Sequence, residues 1–307
     1  MTILLTGVSG FVGTSLAERL ILRNEEVIGV DLVEPKEQFC PFIRADLTDK
    51  WQVLGLGQSK WQPTILHFAA QAWVDPSLTD PIFTYRANVQ ATINVLELAV
   101  RTNARLVYPS SEIIYGEADR YPTKEFYTLK PDSPYAASKA AADLMVQQAN
   151  GRGTKTVVLR SGMGYGPRSP PNQVVTRFIL RCMDGKPLLF PDGPVRHPTR
   201  DINFIGNFVQ GVLAVLDHPE VTGVYNLASG HELDLLTLAE RVIGVVGKGQ
   251  IEFRSDFKYR ESEEGKRTWL DCTKAREAFG YDPSIGLDEG LEKTYNWLKD
   301  NREKYGW

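Results

Sequence analysis

A chain of 307 residues with 42% hydrophobic content can bury a large core, arranged as one elaborated domain or as two lobes. Its formal charge of −3 argues against a basic nucleic-acid surface, and its N-terminal apolar run is too short for a membrane span and follows no charged leader. Three scattered cysteines, Cys40, Cys182 and Cys272, have no metal-like spacing and suit a reducing compartment, so a soluble cytoplasmic protein without a metal site is expected.

The run Ile3–Leu5 reads as a buried parallel strand, and Gly7 opens a turn. From Phe11 the spacing turns helical, with Leu16, Leu20 and Ile21 on one face. Strand, glycine loop and helix start make a phosphate site, because N–H groups point outward and the helix dipole favours negative charge. Gly7 permits the turn, Gly10 lets a pyrophosphate approach, and Gly13 lets helix pack on strand; Phe11 and Val12 belong to the same cradle. The spacing is G-x-x-G-x-x-G, one residue longer in its first gap than the dinucleotide fingerprint. A second strand, Val27–Val30, ends at Asp31, close to the ~20 residues past the glycines expected of a carboxylate that binds ribose hydroxyls. Such a carboxylate repels a 2′-phosphate, so NAD is favoured over NADP.

Phe42–Ala45 reads as a third strand, followed by Asp46 and a helix capped near Thr48. Thr64–His67 is a fourth, a long helix covers Ile82–Thr102, and Arg105–Tyr108 is a fifth strand. The helix of Tyr135 and the strand Thr156–Arg160 complete an alternation that predicts a doubly wound parallel α/β sheet of the Rossmann type, with ligands at the carboxyl ends of the strands. This gives an NAD-binding domain over 1–160. Past Arg160 the pattern breaks: Gly164–Pro171 should not be regular, and 161–307 reads as a smaller α/β substrate lobe with exchanged segments, sharing a cleft with the first.

Ser110 and Ser111 follow the fifth strand, and Tyr135-x-x-x-Lys139 opens the next helix. Residues four apart share a helix face, so Tyr135 and Lys139 address one volume. A phenol of pKa about 10 is a poor base at neutral pH. A nearby ammonium and a charged nicotinamide would favour the phenolate. Lys139 can also hydrogen-bond the nicotinamide ribose, while Ser111 orients a substrate hydroxyl. These are the parts needed to oxidise a secondary alcohol by hydride transfer.

The chain resembles an extended short-chain dehydrogenase/reductase, the group of NAD-dependent nucleotide-sugar epimerases and dehydratases. The resemblance covers nearly the whole length: Thr6–Gly13, Asp31, Asp46-Leu47, His67–Ala70, Asn88, Ser110-Ser111, Tyr115-Gly116, Tyr135/Lys139, Tyr165–Arg168, Arg200-Asp201, Asn226–Gly230 and Trp269–Arg276. It implies that Asp46 and Leu47 meet the adenine and that Phe68, Ala69, Ala70 and Asn88 also contact the cofactor. It implies a nucleoside diphosphate sugar as substrate, with Arg200, Arg260 and Arg168 as candidates to neutralise the diphosphate. It also implies a homodimer through the Ile82–Thr102 and Tyr135 helices.

Dehydratases of this family usually carry an acid at the first position after the serine and a glutamate at the second; here these are Glu112 and Ile113, and Ile113 cannot exchange a proton. Sugar-nucleotide decarboxylases tend to carry that glutamate too, and a reductase would more often favour NADP. An epimerase remains, acting at C4 of a nucleotide-linked hexose through a 4-keto intermediate; a 4-keto-sugar reductase, a 4,6-dehydratase and a non-catalytic dinucleotide sensor are the alternatives. Where relatives place Asn near the substrate phosphates this chain has Met163, which offers no strong donor. Glu112 could repel an anionic sugar, act as an acid, or bond to backbone.

Overall fold

The computed structural model describes residues 2–57, 64–259 and 263–307. The chain divides into two compact units. The first comprises Met1–Gly116, Glu125–Ser161 and Leu213–Asn226; the second comprises Glu117–Lys124, Gly162–Val212 and Leu227–Trp307. Among the described residues, no helix is long and apolar enough to cross a membrane.

The first unit is built on strands β1 (Thr2–Thr6), β2 (Glu26–Asp31), β3 (Phe42–Arg44), β4 (Thr64–His67), β5 (Arg105–Ser111) and β6 (Thr156–Ser161), with Gly223–Leu227 as β7. The sheet order is β7-β6-β5-β4-β1-β2-β3. The five pairings from β6 to β3 are parallel. Ile3, Leu4, Leu5, Ile65, Leu66, Leu106, Val107, Val157 and Val158 are all buried. Such continuous apolar runs belong to parallel strands covered on both faces. The chain order reverses between β1 and β4, so the loops after these strands flank the crevice where open α/β sheets bind ligands.

The helices of this unit are α1 (Phe11–Leu22), α2 (Lys50–Gly55), α3 (Val74–Thr79), α4 (Pro81–Tyr85), α5 (Ala91–Thr102) and α6 (Pro134–Asn150). The cap of α2, expected near Thr48, is Asp49, whose side chain accepts from the N–H groups of Trp51 and Gln52. Two boundaries differ from the sequence expectation. The expected helix over Ile82–Thr102 begins at Pro81 and is interrupted by a π-helical segment, Arg86–Gln90. Strand β5 runs three residues further than expected, so Ser110 and Ser111 lie on the strand and not beyond it. Pairing with β6 carries it on, Ser110 facing Arg160 and Ser111 facing Ser161.

In the second unit, Met163–Tyr165 pairs in parallel with Ile202–Phe204, so Gly164 and Tyr165 are strand residues, contrary to the irregular stretch expected there. Leu188–Pro191 pairs with Ile251–Arg254, and Thr199–Arg200 pairs antiparallel with Leu233–Asp234. Buried Asp201 organises this unit: its carboxylate accepts from the N–H groups of Ser229, Gly230 and Leu270 and from the Ser229 hydroxyl.

Candidate active site

The loop after β1 is shaped by main-chain contact. Gly7 has φ +75°, and a Cβ there would sit 2.5 Å from the Ala69 nitrogen. A Cβ on Gly13 would sit 1.9 Å from the Gly7 carbonyl oxygen, so only glycine lets α1 start this close to the strand. Gly10 caps α1 in extended conformation, and Phe11 and Val12 form its first turn, where N–H groups have no partner within the helix. Asp31 accepts from Ser9 N–H at 3.0 Å and from Leu32 N–H at 2.7 Å, which ties the end of β2 to the glycine loop.

A cleft of about 560 Å³ opens beside this loop. Gly7 and Gly10 line it, with Asp31, the Ala45–Thr48 loop, Phe68–Gln71, and Arg86 and Ala87 of the π segment. Asn94 holds the Asp46–Thr48 loop from α5, donating to the carbonyls of Leu47 and Thr48 at 2.8 and 3.1 Å. Main-chain donors at a helix start, a carboxylate at the end of the second strand and a slot with a buried leucine fit a dinucleotide. Asn88 lies in the π segment, and such segments recur at functional sites. Both of its amide donors are taken, by the Gln71 carbonyl at 3.0 Å and the Ser138 hydroxyl at 2.8 Å, while its oxygen accepts from Gln71 N–H. Asn88 therefore joins the loop after β4 to α6.

Helix α6 starts as the sequence suggests, with Ser133 as N-cap and Pro134 in the first turn. The Ser133 hydroxyl accepts from Ala136 N–H, and buried Ser77 accepts from Tyr135 N–H at 3.1 Å. These bonds satisfy two of the donors a helix start leaves open and set the height of Tyr135. The Tyr135 phenol hydrogen-bonds Ser111 and feels the charge of Glu112. One turn on, Lys139 is 4% exposed, donates to the Pro109 carbonyl at 2.6 Å, and lies 4.3 Å from the centre of the Tyr108 ring. Glu112 is buried on the 3₁₀ turn Glu112–Tyr115, capped by Ser111. Ser111, Glu112 and Tyr135 are thus neighbours, with Lys139 one turn further along α6.

The electrostatics differ from the expectation that Lys139 lowers the Tyr135 pKa. Among the protein's own groups burial wins: it pushes the phenol up to about 12, with the Ser111 hydrogen bond opposing and the Glu112 charge adding. Burial also brings Lys139 down to about 7, against the pull of Asp143. His67 is taken down to about 3, first by burial and then by the Lys139 charge, so its imidazole is neutral. That ring bridges the hydroxyls of Thr6 and Thr92 at 2.8 and 3.2 Å, and Thr92 donates to the Asn88 carbonyl.

The remaining expected site residues lie in the second unit. Met163 is half-buried and its N–H donates to the Asp201 carbonyl. Arg168 is half-buried with φ +70°, an uncommon conformation for a side chain other than glycine. Arg200 is 6% exposed, forms an ion pair with Glu263, and donates to the carbonyls of Thr199 and Lys266. Arg260 lies outside the described residues. Sequence reasoning missed Ser77, Asn94, Ser138 and Thr92. Their roles come from contacts distant in the chain, and no local spacing marks them.

Comparison with known proteins places this geometry. The model of the NAD dependent epimerase/dehydratase family matches residues 3–228. A UDP-glucuronate 4-epimerase of Thermodesulfobacterium geofontis is 29% identical, with 98% of this chain and 97% of that protein covered. A dTDP-glucose 4,6-dehydratase of Streptomyces antibioticus is 30% identical over 98% of this chain and 93% of its own. The crystal structure of the Thermus thermophilus UDP-glucose 4-epimerase in complex with NAD superposes with a TM-score of 0.86 at 29% identity, covering 97% of this chain and 99% of that one. The chain belongs to the NAD-dependent epimerase/dehydratase family, within the extended short-chain dehydrogenase/reductases, and its cofactor is NAD.

Proposed function

We propose that the protein is a nucleotide-sugar 4-epimerase acting on a nucleoside diphosphate hexose through a 4-keto intermediate. The hydrogen bond between Ser111 and Tyr135, with Lys139 one turn further along the same helix, carries this reading, and Ile113 selects the reaction. The Gly7–Gly13 loop, Asp31, the Asp46-Leu47 loop and Phe68–Ala70 would hold NAD, which would accept and return the hydride at C4. The protein's own groups handle the proton. Ser111 orients the C4 hydroxyl, and Tyr135 takes its proton and returns it to the epimeric alcohol. A bound nicotinamide cation would favour the phenolate, opposing the burial that raises the Tyr135 pKa, and Lys139 would hold the nicotinamide ribose. Ile113, a hydrocarbon at the second position after Ser111, cannot assist loss of water. In the second unit, Arg200 and Arg168 are assigned to the substrate diphosphate, Arg200 exchanging the Glu263 carboxylate for phosphate oxygens.

A second reading, 4,6-dehydration, draws support from Glu112, an acid next to Ser111 and close enough to raise the Tyr135 pKa. Incubation with UDP- and dTDP-hexoses without added cofactor, followed by chromatography with mass detection, separates the two. An epimer keeps the mass of the substrate, whereas dehydration lowers it by one water. Net consumption of NADH with a keto-sugar would replace both readings by a reductase.

A homodimer is assigned to the outer faces of two helical stretches. Ile82, Tyr85, Ile93 and Leu144 are exposed there, with half-buried Ala137 and Ala141 in line with Leu144. Ala136, Ala140 and Ala142 face the core of the unit itself. The buried thiols of Cys40, Cys182 and Cys272, none of them in a disulfide, suit a cytoplasmic enzyme.

A further inference from the structure

Behind the catalytic side chains lies a buried polar network that the proposed mechanism does not use. Its hub is Arg160 of β6, 3% exposed, at the level of Ser110 and one residue before the partner of Ser111. Arg160 Nε and Nη2 donate to the two carboxylate oxygens of Asp143 at 2.9 and 3.1 Å. Nη1 donates to the Tyr115 hydroxyl at 2.8 Å and to the Glu125 carbonyl at 2.7 Å. Tyr115, itself buried, donates onward to Asn226 Oδ1 at 2.9 Å, and Asn226 N–H donates to Glu125 Oε1.

The two ends of this guanidinium matter. Asp143 is on α6, one turn beyond Lys139 and two beyond Tyr135, so it shares their face. Tyr115 is the last residue of the 3₁₀ turn that begins at Glu112, directly after Ser111. One planar, fixed fork thus joins the helix of Tyr135 and Lys139 to the turn that Ser111 caps. A buried ion pair is weak evidence for stability, since well-packed apolar groups can often replace it. A rigid joint between two separately folded elements gives it another use.

We propose that Arg160 is a positioning residue of the active centre, fixing the serine turn to the Tyr135–Lys139 helix through Tyr115 and Asp143. The inference rests on the roles given to Ser111 and Tyr135 above. Small displacements of a reacting group can cost ~10²-fold in rate, so the joint should register in turnover.

The test uses Tyr115→Phe, which keeps the ring and removes only the hydroxyl, and Arg160→Lys, which keeps the charge and loses the fork. In the NAD-loaded enzyme Tyr115→Phe should lower kcat about tenfold, with KM within about twofold of the parent. Arg160→Lys should lower kcat at least as much, and the double variant no further than Arg160→Lys alone. A second readout is independent of turnover. In protein labelled with [13Cζ]tyrosine, the Tyr135 resonance, assigned by its loss in Tyr135→Phe, should move in Tyr115→Phe toward its position in Ser111→Ala. An unmoved resonance with unchanged kcat in folded Tyr115→Phe overturns the proposal, as do effects that multiply in the double variant. If Arg160→Lys does not fold, Tyr115→Phe decides alone. If the parent converts none of the sugars offered, the epimerase reading fails, and the Tyr135 resonance decides the positioning role by itself.

Discussion

The glycine cradle and the Tyr135 helix belong to the same unit, yet one is made of main chain and the other of buried side chains. At Gly7 and Gly13 the missing Cβ is the feature that matters, because it lets strand, loop and helix start crowd together beside an open cleft. Around α6 the opposite holds: Tyr135, Lys139 and His67 are each moved far from their ordinary pKa by burial. A cofactor common to many enzymes can be held by backbone geometry, which any sequence with glycine at the right places supplies. Proton transfer needs particular side chains taken out of water and tied to others, so it depends on a packed interior.

The comparison can be broken at its catalytic side first. Tyr135→Phe should lower turnover by about 10²–10⁴-fold while NAD stays bound, the range for loss of a general acid–base group. Loss of NAD in that variant, seen by mass spectrometry of the native protein, would mean the two regions are not separable. On the cradle side, Gly13→Ala must accommodate a Cβ at 1.9 Å from a backbone oxygen. NAD affinity should fall by about two orders of magnitude, the scale of one or two lost hydrogen bonds to a charged group. A calorimetric Kd equal to the parent's would show that the loop has room to move. A smaller change is expected from Asp31→Ser, which removes the carboxylate proposed to bind the ribose. The NAD-to-NADP affinity ratio should drop about tenfold, and an unchanged ratio would remove Asp31 from cofactor choice.

The smallest effect is in stability against pH. Lys139 titrates near 7 in the folded protein and at 10.5 when unperturbed. Between these values the unfolded chain holds a proton that the folded chain lacks, so this site's destabilisation is full at pH 7 and below and fades as pH rises toward 10.5. Lys139→Met removes that dependence. Its melting temperature relative to the parent should therefore be most favourable at pH 7 and decline by pH 10. A difference that stays constant would mean that Lys139 is not titrating in this window.

Much of the fold and part of the candidate site were legible from spacing. The succession of the first six strands along the chain, the glycine loop, Asp31 and the Ser133-Pro134 start of the Tyr135 helix each depend on residues within one turn or one strand–helix unit; the seventh strand, Gly223–Leu227, does not. The end of β5 was not legible, because Ser110 and Ser111 become strand only by pairing with Arg160 and Ser161. The π segment within the predicted long helix was not visible either, since its periodicity differs from an α-helix over five residues only.

By itself, then, the sequence determined which groups are available and which of them share a local element: Tyr135 with Lys139 on a helix face, Gly7 with Gly13 in one loop. Tertiary structure alone decided what those groups experience. It joined Asn88 to both Gln71 and Ser138, and it paired Arg200 with Glu263. Among the protein's own groups it also set the Tyr135 phenol above its ordinary pKa, where a nearby ammonium and a charged nicotinamide suggested a fall. The physical reason is that periodicity is a property of neighbours in the chain. Desolvation and hydrogen-bond saturation are sums over neighbours in space.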